Sequence, residues 1–195
     1  MPHLILLGDS IFDNLRYTDG GPDVISQVQQ ILPPGWRASM LAVDGSTTKE
    51  VPSQLKALPD DASQLVLSVG GNDAIMNAQI LQSPARSMAD ALGALADVAQ
   101  AFEESYRRAI GACRQIPVPL TVCTIYNGCF PDPAYQRVLS TALMAFNDVI
   151  LRVAIERALP VIDLRFICRE PADYANPIDL PPLEGPGLHV PLLVL

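Results

Sequence analysis

His3-Leu-Ile-Leu-Leu-Gly-Asp-Ser10 is the stretch of this 195-residue chain that decides its fold. Its apolar residues do not alternate with polar ones, which is typical of a strand buried on both faces of a parallel β-sheet. The run ends in the turn signal Gly8-Asp9-Ser10, so Ser10 is predicted to follow the carboxyl end of that strand. Ligands of open parallel sheets bind at this edge, and Ser10 is therefore expected where a substrate would lie.

Strands and helices are predicted to alternate along the rest of the chain. Further strands are predicted at residues 36–43, 64–69, 120–125 and 160–164, and helices at 24–31, 49–58, 87–114 and 135–159. The two long helices are each predicted to bury one apolar stripe, which includes Met88 and Leu92 in the first and Val138 and Ile155 in the second. The alternation predicts a single three-layer α/β domain with a parallel sheet over residues 1–195.

Residues 169–195 differ from the rest because prolines interrupt them throughout, and they are predicted to form an irregular tail. The apolar end of this tail, Val190-Pro-Leu-Leu-Val-Leu195, leaves three alternatives open. It would cover an apolar face of its own domain, exchange onto a second copy in a homo-oligomer, or be disordered.

The composition excludes some classes of function. The formal net charge of −8, with scattered basic residues, argues against a nucleic-acid partner, because such binding needs clustered lysines and arginines. No apolar run reaches the roughly 18 residues of a membrane span, and the first residues do not resemble a secretory signal. A soluble, cytoplasmic protein is expected. Cys113, Cys123, Cys129 and Cys168 form no close pair, so a structural zinc site is not expected. Three of them lie in or beside apolar predicted helices or strands, so buried free thiols are expected rather than disulfides.

Three predicted strands end in turns that together suggest acyl transfer. Gly8-Asp9-Ser10 supplies a hydroxyl, Asp44-Gly45-Ser46 a glycine amide, and Gly71-Asn72-Asp73 a carboxamide. A serine that attacks an ester carbonyl needs hydrogen-bond donors directed at the developing oxyanion, and a backbone N–H with an asparagine side chain can provide them. The aspartates of these turns are expected to brace them through hydrogen bonds rather than to act chemically.

These three motifs, in this order, resemble those of the SGNH, or GDSL, hydrolase family over residues 3 to about 178. The resemblance implies a flavodoxin-like fold with a five-stranded parallel sheet in the order 2-1-3-4-5. It also implies cofactor-free hydrolysis of small carboxylic esters. Ser10 would be the nucleophile, and the amides of Ser10 and Gly45 with the side chain of Asn72 would form the oxyanion hole.

The family's final motif, an Asp-x-x-His pair, is incomplete here. Its nearest match begins at Asp173 and carries Asn176 where the histidine is expected, and an amide cannot act as the base. His3 begins the strand that Ser10 follows, roughly 20 Å away at about 3.3 Å per residue. His189 is therefore the candidate base, with Asp179 or Asp173, or less favourably Glu184, as the acid that orients it.

Two alternatives remain open. The chain could be a binding or structural domain of the same fold that has lost its base. It could also use the thiol of Cys129, although no histidine is paired with this cysteine in the sequence.

Overall fold

The computed structural model describes residues 1–168, which contain a five-stranded, all-parallel β-sheet. The strand order β2-β1-β3-β4-β5 confirms the predicted fold. The strands are β1 (His3–Gly8), β2 (Arg37–Met40), β3 (Gln64–Ser68), β4 (Leu120–Cys123) and β5 (Val161–Ile162). The α-helices are α1 (Val24–Ile31), α2 (Val51–Gln54), α3 (Gly71–Met76), α4 (Met88–Cys113) and α5 (Pro133–Glu156). The predicted tail, residues 169–195, lies outside the described residues.

The two faces of β1 pack into two different cores. Ile5 and Leu7 lie in the larger core, with residues of α4 and α5 such as Tyr106 and Ile150. Leu6 points the other way, into a smaller core with Phe12, Tyr126 and Leu164, against which α1 packs. A strand with both faces buried explains the uninterrupted apolar run in the sequence.

Local capping residues account for where the helices begin. Asp23 accepts a hydrogen bond from the Ser26 N–H at the start of α1, and Ser87 accepts one from the Asp90 N–H at the start of α4. Asp132 caps α5 in the same way. The predicted bounds of these three helices are thus close to the observed ones, since each cap is a local signal.

The strand predicted at residues 36–43 is shorter than expected. The Leu41 and Ala42 N–H groups both donate to the Leu6 carbonyl, at 2.8 and 3.0 Å. Two donors on one acceptor break the regular ladder, and β2 therefore ends at Met40. The helix predicted at 49–58 is likewise only the short α2 followed by a 3₁₀ turn at Leu55–Ala57.

The prediction that α4 buries its whole apolar stripe is wrong for its first turns. Met88 is 75% exposed and Leu92 is 58% exposed, whereas Phe102 and Tyr106 further along are buried. On α5, Val138 and Ile155 are also exposed. The same spacing recurs along the entire helix, but only the second half of α4 faces the sheet, so periodicity alone overstates burial.

The thiols differ in burial. Cys113 and Cys123 are buried, and burial raises the pKa of each to about 12. Cys129 is exposed and Cys168 is half-buried, so the expectation of buried thiols holds fully only for Cys113 and Cys123. All four are free.

Within residues 1–168, α5 is the one helix long and apolar enough to cross a bilayer by length and composition. This is a weak indication, because nine of its side chains are buried in the protein interior.

Candidate active site

The candidate site lies at the carboxyl edge of the sheet, where three loop segments follow β1, β2 and β3. We call these segments, residues 9–14, 43–50 and 70–77, the rim; the third segment carries the short helix α3. The first loop turns at Gly8, which has φ +122°, and a Cβ there would lie 1.7 Å from the Ser68 carbonyl oxygen. Only glycine allows β1 and β3 to approach so closely. The Asp9 N–H then donates to the same carbonyl at 3.1 Å. Ser10 follows directly and is 4% exposed.

Gln54 of α2 holds the end of β1 from the side. Its Oε1 accepts from the Gly8 N–H at 2.9 Å, and its Nε2 donates to the Gly8 carbonyl at 2.7 Å. The same Nε2 donates to Ser46 Oγ at 3.2 Å. One buried carboxamide thus connects the nucleophile turn to the loop after β2. The sequence analysis missed Gln54, because a glutamine in a short helix carries no signal of its partner 46 residues away.

The loop after β2 is bonded directly to the loop after β1. The Asp13 carboxylate accepts from the Asp44 N–H at 2.9 Å, and the Asp44 carboxylate accepts from the Tyr17 hydroxyl at 2.8 Å and from Arg16. Gly45 follows in a turn with φ +81°, a conformation that favours glycine. Asp44 therefore braces this turn as expected, although through side chains rather than backbone amides.

The third loop begins α3 and is tied to the second. Asn72 Nδ2 donates to the Ser46 carbonyl at 2.9 Å. The Asp73 carboxylate accepts from the Thr48 N–H at 3.0 Å and from the Thr48 hydroxyl at 2.6 Å. The residues predicted to supply the nucleophile and the oxyanion donors thus sit on three loops linked by hydrogen bonds. The short helix α3 was not predicted, since the Gly-Gly-Asn-Asp run reads as a loop.

The rim is strongly acidic. Burial, with smaller contributions from the nearby carboxylates of Asp73 and Asp44, raises the pKa of Asp9 to about 8 against the opposing hydrogen bond from the Ile11 N–H. Burial also raises the pKa of Asp73 despite its hydrogen bonds from Thr48. Asp9 is therefore largely protonated at neutral pH and adds little negative charge beside Ser10.

Of the two histidines, His3 lies in the described part of the chain and His189 does not. His3 begins β1 at the opposite edge of the sheet from the rim, where it is 1% exposed and hydrogen-bonded through both ring nitrogens. This placement agrees with its exclusion as the base for Ser10. His189 and the candidate acids Asp173, Asp179 and Glu184 lie outside the described residues, as does Asn176.

Two further polar residues lie beyond the ends of β4 and β5. Asp163 accepts from the Thr124 hydroxyl at 2.9 Å and pairs with Arg165, which lowers its pKa. Cys129, the alternative nucleophile, is exposed on the loop before α5. Among residues 1–168, no three histidine, cysteine, aspartate or glutamate side chains converge as metal ligands would.

Two surface depressions lie near these elements. A cleft of about 750 Å³ is lined by rim residues including Gly45, Asp73 and Asn77. A groove of about 970 Å³ runs between the exposed start of α4 and α5, past Met88 and Val138. Neither depression includes Ser10 or Asn72 among its lining residues.

Comparison with known proteins places the chain in a family. The model of the GDSL-like lipase/acylhydrolase family matches residues 6–190. The chain belongs to this family. A comparison with curated proteins finds no significant match.

Solved structures share the fold of this GDSL-like chain at low sequence identity. An extracellular lipase from Streptomyces rimosus has a TM-score of 0.62 and 15% identity, with 90% of this chain and 86% of the lipase covered. The acetyl xylan esterase AlAXEase has a TM-score of 0.61 and 19% identity, with coverage of 85% and 78%. Phospholipase A1 from Streptomyces albidoflavus NA297 has a TM-score of 0.60 and 18% identity, with coverage of 88% and 84%.

Proposed function

We propose that this chain is a serine esterase that hydrolyses carboxylic esters with short acyl groups through an acyl-enzyme on Ser10. The hydrogen bonds that join the three rim loops carry the proposal: Asp13 to the Asp44 N–H, and Asn72 to the Ser46 carbonyl. A fixed rim offers oxyanion donors that need no reorganisation during the reaction.

Each step has a candidate group. Ser10 Oγ attacks the ester carbonyl while the base takes its proton, and the negative charge that develops on the carbonyl oxygen is stabilised by the amides of Ser10 and Gly45 and by Asn72. Asn72 uses one side-chain N–H for Ser46 and has a second to offer. The base returns the proton to the leaving alcohol, and water then hydrolyses the acyl-serine by the same route.

His189 is the proposed base, oriented by Asp179 or Asp173. The family match extends to residue 190 and so includes His189, which supports its assignment over a missing base. An imidazole is the side chain best suited to proton transfer near neutral pH.

A short acyl group is favoured by the burial of the nucleophile. Ser10 is 4% exposed, so a bulky acyl chain would have to displace the surrounding loops. The neighbours' descriptions name a lipase, an acetyl xylan esterase and a phospholipase A1, and a small acetyl ester fits this buried serine best among those acyl groups.

Hydrolysis of p-nitrophenyl acetate tests the proposal. Ser10→Ala should abolish it, and His189→Ala should lower kcat about 10²- to 10⁴-fold. Asp179→Asn and Asp173→Asn, made separately, should identify the acid by which variant loses activity. Ser68→Ala is the matched control, because Ser68 is also buried at a strand end but meets the nucleophile turn through its backbone carbonyl; it should retain activity.

A fluorophosphonate probe separates the esterase from a non-catalytic domain. Labelling at Ser10 requires an activated hydroxyl. A wild-type protein that is folded by circular dichroism but is not labelled at Ser10 would favour a binding or structural role instead.

A further inference from the structure

A second serine, far from the rim, has the partners of an activated nucleophile. His3 Nε2 lies 2.8 Å from Ser39 Oγ, and His3 Nδ1 lies 3.0 Å from Asp61 Oδ1. The order hydroxyl, imidazole, carboxylate is the one that activates serine in hydrolases of unrelated folds. All three residues lie among the described residues, and none belongs to the rim.

The strand register explains how these residues meet. β1 and β2 pair in parallel, with His3 opposite Arg37 and Ile5 opposite Ser39. Ser39 is two residues beyond Arg37, so it lies on the same face of the sheet as His3. Asp61 comes from the turn before β3, whose first residues pair with β1 on its other side. The imidazole therefore bridges β2 and the start of β3 across β1.

The charges around His3 fix the role of each ring nitrogen. Arg37 forms an ion pair with Asp61, and the hydrogen bonds from Arg37 and His3 lower the Asp61 pKa to about 2. An ionised Asp61 accepts the proton of Nδ1–H, so the neutral imidazole carries its lone pair on Nε2. That lone pair faces the Ser39 hydroxyl, which is the orientation a general base requires.

The base of this group is buried, whereas the serine hydroxyl is accessible. His3 is 1% exposed and so is held in one orientation. Ser39, in contrast, is half-buried on the edge strand of the sheet. A small reagent can therefore approach the hydroxyl, while the base behind it is shielded from water.

We propose that Ser39 is a second base-activated nucleophile of this chain, which takes acyl groups from small activated esters, with His3 as its base and Asp61 as a positioning residue. Ser39 Oγ forms a bond to the acyl carbon, and the bond from that carbon to the alcohol oxygen breaks. His3 Nε2 accepts the hydroxyl proton and passes it to the departing alkoxide. The product is an acyl-serine at position 39.

A fluorophosphonate probe tests this in the Ser10→Ala variant, with adducts located by mass spectrometry of peptides. Ser39 Oγ would form a bond to phosphorus as the phosphorus–fluorine bond breaks, and His3 Nε2 would take the hydroxyl proton and pass it to the departing fluoride. An adduct at Ser39 is expected, with none at Ser63, whose hydroxyl meets the His3 backbone rather than its ring. A folded variant without an adduct at Ser39 would overturn the proposal.

Two further variants separate activation from simple exposure. His3→Gln should slow labelling of Ser39 by about 100-fold or more. Asp61→Asn should slow the labelling to a similar extent. Because Asp61 is exposed, this second variant should fold even if the buried His3 cannot be replaced. Equal rates in the wild type and both variants would contradict a role for His3.

Failure of this proposal is distinguishable from failure of the proposed function, because peptide mapping of the labelled wild-type protein reports each serine separately. An adduct at Ser39 without one at Ser10 would contradict only the esterase proposal. An adduct at Ser10 without one at Ser39 would overturn only the second nucleophile.

Discussion

Asp9 is the residue whose surroundings most change its chemistry. It is 2% exposed, and burial raises its pKa to about 8. The folded protein thus binds this proton more tightly than the unfolded chain, whose aspartates have a pKa near about 3.9. Stability from this group is full at acidic pH and is lost as the pH rises through about 8.

Asp9→Asn should remove that loss, because an amide resembles the protonated acid and stays neutral. The difference in unfolding free energy between variant and wild type should grow in favour of the variant as pH rises from about 4 to about 8, by at most about 1.4 kcal/mol per pH unit. Urea unfolding at several pH values measures it. A difference that does not vary with pH would contradict a raised pKa at Asp9.

Only glycine fits at position 8, because the Ser68 carbonyl of β3 lies too close to leave room for a side chain. Gly8→Ala should destabilise the protein by at least about 3 kcal/mol, because the new Cβ would overlap the Ser68 carbonyl. Gly35→Ala is the matched control: Gly35 has φ +87° with nothing within 4 Å, so it should cost only about 1–2 kcal/mol. Similar losses in thermal or urea unfolding of the two variants would show that the overlap is relieved.

At the scale of elements, α4 combines a packed half with an unpacked one. Residues 102–113 contribute buried side chains such as Phe102 and Tyr106, whereas Met88 and Leu92 are exposed. Local opening of a helix costs little where few apolar contacts are lost. The first turns of α4 should therefore open independently of the rest.

Ser87→Ala tests this separation, since it removes the cap of α4 at the Asp90 N–H. Amide hydrogen exchange should accelerate about threefold or more over residues 88–97, in line with a cap of about 1 kcal/mol, and stay unchanged over residues 102–113. Ser140→Ala serves as the control, because Ser140 is a half-buried residue inside α5 that accepts a hydrogen bond from Gln136 of the same helix and caps no helix end. Faster exchange along all of α4 would show that the helix unfolds as one unit.

At the scale of the whole molecule, negative charge surrounds the candidate site. The chain carries a formal charge of −8, and carboxylates of Asp13, Asp44 and Asp73 brace the rim. Such a field repels anionic substrates and acts over roughly a Debye length.

Added salt should therefore increase kcat/KM for anionic esters but not for neutral ones. Raising the ionic strength from about 0.01 M to about 0.15 M shortens the Debye length from about 30 Å to about 8 Å. The kcat/KM for a p-nitrophenyl ester with a free carboxylate should then rise about two- to fivefold, while that for neutral p-nitrophenyl acetate stays constant. A parallel change for both esters would indicate an effect on the enzyme rather than on the encounter.

Several parts of this protein follow from its sequence alone. The uninterrupted apolar run before Gly8 predicts a doubly buried strand, and caps such as Asp23 and Ser87 mark helix starts, because these signals act over a few residues. The three turn motifs likewise predict Ser10, Gly45 and Asn72 at one edge, since the carboxyl ends of parallel strands coincide there.

The tertiary structure alone decided which distant polar groups meet. Gln54 forms hydrogen bonds with Gly8, which is 46 residues away in sequence. His3 forms hydrogen bonds with Ser39 and Asp61, which are 36 and 58 residues away. It also decided that the first turns of α4 stay exposed although their spacing matches the buried turns. Hydropathy periodicity records which way a side chain faces within its own element, whereas these contacts depend on how strands are ordered and registered, which no local pattern contains.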